Sequence, residues 1–314
     1  MNIIKLKNIA KRNKSSLLLI LITLFALILR MSFFNGVGTS DELAYSKYSY
    51  QISHGDFTPT SDYKSSRIGL LIPVSILYYF FGVNDYSAVA FSLLTSLGTI
   101  ILIYSFGKLL FNENIGLLAA SFYSFFPLDV INSTRLLSEL PSSFFAALSV
   151  YLFLNAEKNA NSLRNPVGYA LAGMSLGMAF LIREMAILTL LFFFIYVAYQ
   201  RRMRMNYLMI FFGFAIILFI DLMLFNLFTG NYFYKYNSIS SPHMLDLLAT
   251  TNNYGRALFP KFFLTWPYII FGKLNLGYFF LFISLAMLYL MKYRERNSNY
   301  LLIWFSSIML YLYF

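Results

Sequence analysis

The sequence predicts an all-α, polytopic integral membrane protein of about nine transmembrane helices. Of its 314 residues 59% are hydrophobic and only 12% charged, and the mean hydropathy is +0.65. Apolar runs near twenty residues recur along the chain, about the length a helix needs to cross the hydrocarbon core, which excludes a soluble globule. Stretches such as 17–29 and 188–197 are apolar on nearly every face. A barrel strand would instead alternate over about ten residues. No cysteine is present, so disulfides, thiolate metal sites and a cysteine nucleophile are excluded. The net charge of +11 reports in such a chain on topology rather than on nucleic acid, and no nucleic-acid partner is expected.

Lys5, Lys7, Lys11, Arg12 and Lys14 precede the first helix, about 15–34, and hold the tail 1–14 in the cytoplasm. Its long apolar core, with no small-x-small cleavage site after it, reads as an anchor rather than a signal peptide. The next apolar segment, 68–81, is short for a span, has Pro73 inside it and ends at Gly82. Counted as a crossing, it would put Arg201, Arg202 and Arg204, and later Lys292, Arg294 and Arg296, outside. Left as a membrane-surface helix, it puts both clusters inside. Residues 35–87 therefore read as one large first external loop. Crossings follow at about 88–107, 115–131, 140–156, 166–182, 185–199, 206–229, 274–291 and 299–314, with a later external loop at 230–267. The whole of 1–314 is one membrane domain. Asp41, Glu42, Asp56, Asp62, Asp85, Asp129, Glu139, Glu184 and Asp246 fall on or near the external side. Acids contribute little to topology, so this gathering reads as a site.

Several short motifs occur in a telling order. Asp41-Glu42-Leu43-Ala44-Tyr45 stands within a few residues of the first helix exit, followed by Gly55-Asp56-Phe57. Arg67-Ile68-Gly69 opens the Pro73 segment, which closes with Phe81-Gly82. Phe126-Pro127 and Ser133 precede Glu139-Leu140-Pro141, and Gly173 and Gly177 lead to Leu181-Ile182-Arg183. In this order and spacing, over roughly 12–230, the chain resembles the C-type superfamily of glycosyltransferases, in its protein O-mannosyltransferase-like and lipid A aminoarabinose-transferase-like branch. In the aminoarabinose-transferase enzymes a glutamate precedes the basic residue of the Pro-containing helix and helps bind a metal. Here Ser66 stands in that place and Asp62 is the nearest acid, so no metal or other cofactor is assigned and a divalent ion is left open.

The resemblance implies a membrane glycosyltransferase that moves a sugar from a polyprenyl-phosphate donor, with inversion, to a glycan, lipid or protein acceptor on the external face of the cell membrane. The residue types suit that chemistry. A carboxylate at the membrane face can take a proton from an acceptor hydroxyl, and arginines can steady the departing phosphate. Asp41 is then the expected general base. Glu42 is its neighbour, placing the acceptor or raising the Asp41 pKa, and Glu139 is a second acid that holds the sugar. Arg67 and Arg183, with Tyr45, are expected at the donor phosphate; the plainer reading of the arginines is snorkelling at helix ends, with Arg183 paired to Glu184.

Other polar residues read as structural. Arg30 and Asp221 lie at membrane depth, where an ionised group costs about 2.5–3.5 kcal/mol on insertion scales, so each should face the bundle interior or reach an interface. They also carry the alternative reading, a transporter or lipid flippase with a path through the bundle. His54 and His243 are the only histidines and read as ordinary loop residues. The stretch 231–267, with Tyr254, Arg256 and Trp266, reads as the acceptor-side cover.

Overall fold

The computed structural model describes residues 3–38, 40–60, 62–158, 165–201, 204–239 and 299–304, with positions 285, 286 and 289. The expected crossing at 274–291, the end of the last one and most of the later external loop, with His243, lie outside the described residues. None of the described residues is in a strand. Helix α1 covers Ile3–Ser32, α2 Asp41–His54 and α3 Ile68–Phe81, with a 3₁₀ turn at Tyr63–Ser66 between the last two. Helices α4 (Asp85–Leu110), α5 (Glu113–Ser124), α6 (Pro127–Asn132), α7 (Glu139–Lys158) and α8 (Asn165–Ile182) follow. A 3₁₀ segment at Glu184–Thr189 leads into α9 (Leu190–Gln200). A second at Met205–Tyr207 leads into α10 (Leu208–Thr229), and α11 (Tyr234–Ile239) comes after it.

Among the described residues three helical stretches are long and apolar enough to cross a membrane, Lys14–Ser32, Asp85–Leu110 and Met205–Thr229. The nine-crossing count is not established by these. Helix α3 has 14 residues, roughly 21 Å of rise against about 30 Å of hydrocarbon. Its bounds are those that Arg67 and Gly82 mark in the sequence. The expected crossing at 115–131 is not one helix. Pro127 has no N–H to give the Tyr123 carbonyl and forces Phe126 into an extended conformation (φ −64°, ψ 114°), so the chain stops at Ser124 and restarts as α6. The expected crossing at 185–199 likewise begins as a 3₁₀ segment.

That break between α5 and α6 is used. The freed Ser124 carbonyl accepts from Arg30 Nη1 at 3.2 Å, and Asp129, now turned back on α6, pairs with Arg30 Nη2. Arg30 Nε donates to Ser96 of α4 at 2.7 Å, and Ser96 donates to Asp129 at 2.5 Å. The fully buried guanidinium thus ties α1, α4, α5 and α6 into one unit and meets the interior position expected of Arg30.

The other half of the bundle closes on small residues. A Cβ on Gly213 of α10 would overlap the Ala170 carbonyl of α8, and one on Gly173 would overlap the Ile210 carbonyl. The two backbones therefore touch, as packing between apolar helices in lipid requires. At the end where the chain runs into 201–204, Phe153, Tyr169, Phe192, Tyr196 and Tyr207 form an aromatic core, and Glu157 accepts from Tyr169, Tyr196 (3.1 Å) and Arg204 (3.4 Å). At the opposite end Gly69 of α3 lies against Leu181 and Ile182, 2.7–2.9 Å from where a Cβ would stand. That contact brings Arg67 beside the end of α8. Gly213→Leu should overpack the α8–α10 contact and cost about 1–3 kcal/mol, read as a lower unfolding temperature in detergent than the wild type.

Candidate active site

The first loop starts α2 with two adjacent acids that point to different surroundings, since neighbours on a helix lie about 100° apart. Glu42 goes inward and is buried. Its Oε2 accepts the Gly38 N–H at 2.7 Å, and its Oε1 accepts from Arg135 Nε at 2.7 Å and from Arg135 Nη2. The bond to Gly38 also closes the turn before α2, while Ser40 at the N-cap makes no side-chain cap.

Asp41 stays partly exposed, its side chain at 42%. Its Oδ1 lies 3.0 Å from Lys64 Nζ, and the Lys64 hydrogen bond, with a smaller pull from Arg67, holds its carboxyl below the usual carboxylate range. This corrects the expectation that Glu42 raises the Asp41 pKa. Glu42 is turned away into Arg135, and the groups that face Asp41 are cations.

Arg67 caps the turn Tyr63–Ser66 and starts α3. Its Nη1 donates to the Tyr45 hydroxyl and, at 2.8 Å, to Ser138 Oγ, and its guanidinium lies over the rings of Tyr63 (4.9 Å) and Tyr45 (5.7 Å). Only 9% of the residue is exposed, and its Nε has no hydrogen-bond partner. Among the described residues no carboxylate pairs with it. The snorkelling expected for Arg67 is therefore not what the chain does: the head group is turned inward among tyrosines and serines. Burial pushes the Tyr45 hydroxyl up to about 12, so Tyr45 remains a phenol beside the guanidinium.

Arg183 pairs with Glu139, joining the end of α8 to the start of α7. The alternative pairing with Glu184 is not made. Glu184 instead faces Ser66, at 3.5 Å, and Lys235 Nζ, at 4.0 Å. Arg183 and Glu139 stand at the mouth of a cavity of about 430 Å³ that also includes Ser142, Thr189, Phe192 and Trp304. A second, more apolar cavity of about 420 Å³ adjoins it at Ser143, Ala147 and Trp304 and runs between α4, α5 and α7.

Asp221 is fully buried 3.7 Å from the equally buried Lys235 Nζ. Helix α11 brings that lysine back over the first loop, where Tyr234 also donates to the Pro59 carbonyl at 2.8 Å. The Arg30 and Asp221 of the transport reading are thus both answered within the bundle. Among the described residues no three His, Asp or Glu side chains gather as metal ligands. Glu184 approaches Ser66 alone, so these residues do not make up the divalent site left open by the resemblance. His54 bonds only to Tyr50 and Ser53 on its own helix.

The sequence reading missed Lys64, Arg135 and Ser138. Asp62, five residues before a helix-opening Arg67, marks the turn that presents Lys64; its side chain accepts the Lys64 N–H at 3.1 Å.

Long apolar helices gathered under a cluster of charged loop residues define an integral membrane protein. Residues 72–225 match the family model of dolichyl-phosphate-mannose-protein mannosyltransferase. Over that stretch, just under half of the chain, the protein is similar to this family of mannosyltransferases, which supports the resemblance to the C-type glycosyltransferase superfamily. The match takes in Arg135, Glu139 and Arg183 and starts after Asp41, Glu42, Tyr45, Lys64 and Arg67. No curated protein and no solved structure gives a significant match to the chain.

Arg135→Met should leave the Glu42 carboxylate buried without its cation and cost on the order of 1–3 kcal/mol. Adding Glu42→Gln removes the stranded charge. The double variant is therefore expected to melt above the single Arg135→Met variant in detergent, and equal melting of the two would mean that the pair does not hold α2 in place.

Proposed function

We propose that the protein transfers a sugar from a polyprenyl-phosphate donor to a hydroxyl of a glycan, lipid or protein acceptor at the external membrane face, with inversion and with Asp41 as general base. The observation that carries this reading is Arg67, a buried guanidinium with no carboxylate partner among the described residues and an unused Nε–H, set beside an ionised Asp41. A buried cation left without an anion in the protein suits one that a substrate brings.

In the proposed reaction the acceptor oxygen attacks the anomeric carbon while Asp41 takes its proton. The bond from that carbon to the phosphate oxygen breaks with inversion, and the electron pair leaves with the lipid phosphate. A phosphodiester becomes a more negative phosphomonoester, so Arg67, with Tyr45 and Ser138 fixing its head group, stabilises the transition state more than the ground state. Glu42, engaged on both oxygens, places α2 and thereby Asp41. Glu139, more exposed, is left to hold sugar hydroxyls, while Arg183 meets the donor at the cavity mouth. The apolar cavity beside it suits a polyprenyl chain.

The topology that goes with this reading keeps the N-terminus inside and the first loop outside, with α3 along the membrane surface. The exposed Tyr79, Phe80 and Phe81 at its end, and Tyr86 at the start of α4, support that position, since aromatic side chains favour the headgroup level. Thr58 and Asn114 are both exposed. In the cysteine-free chain, Thr58→Cys should be labelled from outside and Asn114→Cys only from inside. Labelling of both from the same side would overturn the topology.

The chemistry is tested by Asp41→Asn, which keeps size and most hydrogen bonding. Sugar transfer at saturating donor should fall about 10²-fold or more with donor binding retained. Arg67→Gln should lower both turnover and turnover over KM, because its main contribution comes in the transition state. Wild-type turnover in well-folded Asp41→Asn, checked by gel filtration, would remove the base from the mechanism.

A further inference from the structure

Lys64 has no role in the chemistry given so far, yet it is the residue closest to the base. It sits on the 3₁₀ turn that Arg67 caps, three residues before that arginine, and Asp41 feels the charge of both cations. They flank the Tyr63 ring at 5.7 Å and 4.9 Å from its centroid. Lys64 Nζ lies 3.0 Å from Asp41 and 3.8 Å from Asp62, while Arg67 meets no carboxylate. One cation of this pair is occupied by the base, and the other has no carboxylate partner among the described residues.

An Asp41 covered by an ammonium is a poor proton acceptor, so something has to draw Lys64 away before the acceptor hydroxyl can be deprotonated. A partly exposed ion pair is weakly held, and an anion seated on Arg67 stands next to the ammonium. We propose, resting on the reading of Asp41 as base, that Lys64 is a second ligand of the donor phosphate and that its move from Asp41 to the phosphate uncovers the base only when donor is bound. The bonds exchanged are ionic: the ammonium leaves a carboxylate oxygen for a phosphate oxygen, with no proton moved.

The groups facing Asp41 are Lys64 and, beyond it, Asp62 and Tyr63 from the 3₁₀ turn, Arg67 from the start of α3, and Ser40 and Tyr45 from its own segment. Of these the Lys64 hydrogen bond does most to hold the carboxyl low, and Asp41 in turn raises Lys64. The sign follows. In free protein Asp41 ionises at low pH and is covered; in the donor complex it has lost its partner to a phosphate and ionises at higher pH. The acid limb of kcat/KM for the donor, which reports free enzyme, should therefore lie below the acid limb of kcat.

The test uses the full chain in detergent as wild type, Lys64→Gln and Lys64→Arg. Farnesyl phosphate binding is measured at one mildly alkaline pH, and transfer from polyprenyl-phosphate mannose is followed across pH. Lys64→Gln should bind farnesyl phosphate about tenfold more weakly, the loss of one charge-assisted contact, and should bring the two acid limbs together at the higher position. Lys64→Arg should restore both the affinity and the separation. Unchanged farnesyl phosphate affinity in Lys64→Gln overturns the proposal, as does a separation of limbs that persists without the lysine. Failure of the underlying reading has its own signature: Asp41→Asn turns over at the wild-type rate while Lys64→Gln still loses affinity.

Discussion

A charge buried among apolar helices has to be answered by another charge or by hydrogen bonds, and in this bundle each answer comes from a different helix. Arg30 on α1 is met by Asp129 on α6 and by Ser96 on α4. Glu42 on α2 is met by Arg135, just after α6. Asp221 on α10 is met by Lys235 on α11. Apolar packing in lipid has little register of its own. These pairs supply it, because leaving any one charge unmatched costs more than sliding a helix into place.

Against that background Arg67 is the exception that defines the site. Its contacts are hydroxyls and rings, which orient a guanidinium without neutralising it. Gly69 then fixes where this cation points, because the close approach of α3 to Leu181 and Ile182 leaves no room for the turn before it to shift. The same geometry sorts the two adjacent acids. Glu42 is spent on structure, and Asp41 is left at the surface of the cluster in a partly exposed pair with Lys64.

Much of this was legible in the sequence wherever a residue acts on its own neighbours. Gly55 and Gly82, both with positive φ, mark the ends of α2 and α3, and Arg67 marks the start of α3, because end signals are local. The inward placement of Arg30 followed from the cost of an ion at membrane depth, but its partner Asp129 stands 99 residues away, beyond any periodicity. The break at Phe126 was written in Pro127, yet the apolar run around it reads as continuous, and hydropathy alone merged α5 with α6. Lys64 was missed because a lysine beside two acids in a polar loop is commonplace. Only the turn closed by Asp62 and Arg67 gives it a direction.

Pairing also explains why the charged cluster sits at the loop end of the bundle rather than within it. At membrane depth Arg30 and Asp129 are saturated by hydrogen bonds from three helices, and a group so held has nothing left to offer a substrate. Near the aqueous face a pair such as Asp41 and Lys64 keeps part of its surface exposed, so water and an incoming anion can compete for either partner. The proposed chemistry, which would pick up a proton and release a phosphate, therefore suits the place where charges are paired loosely, and the tight pairs below serve to keep those loose ones in register.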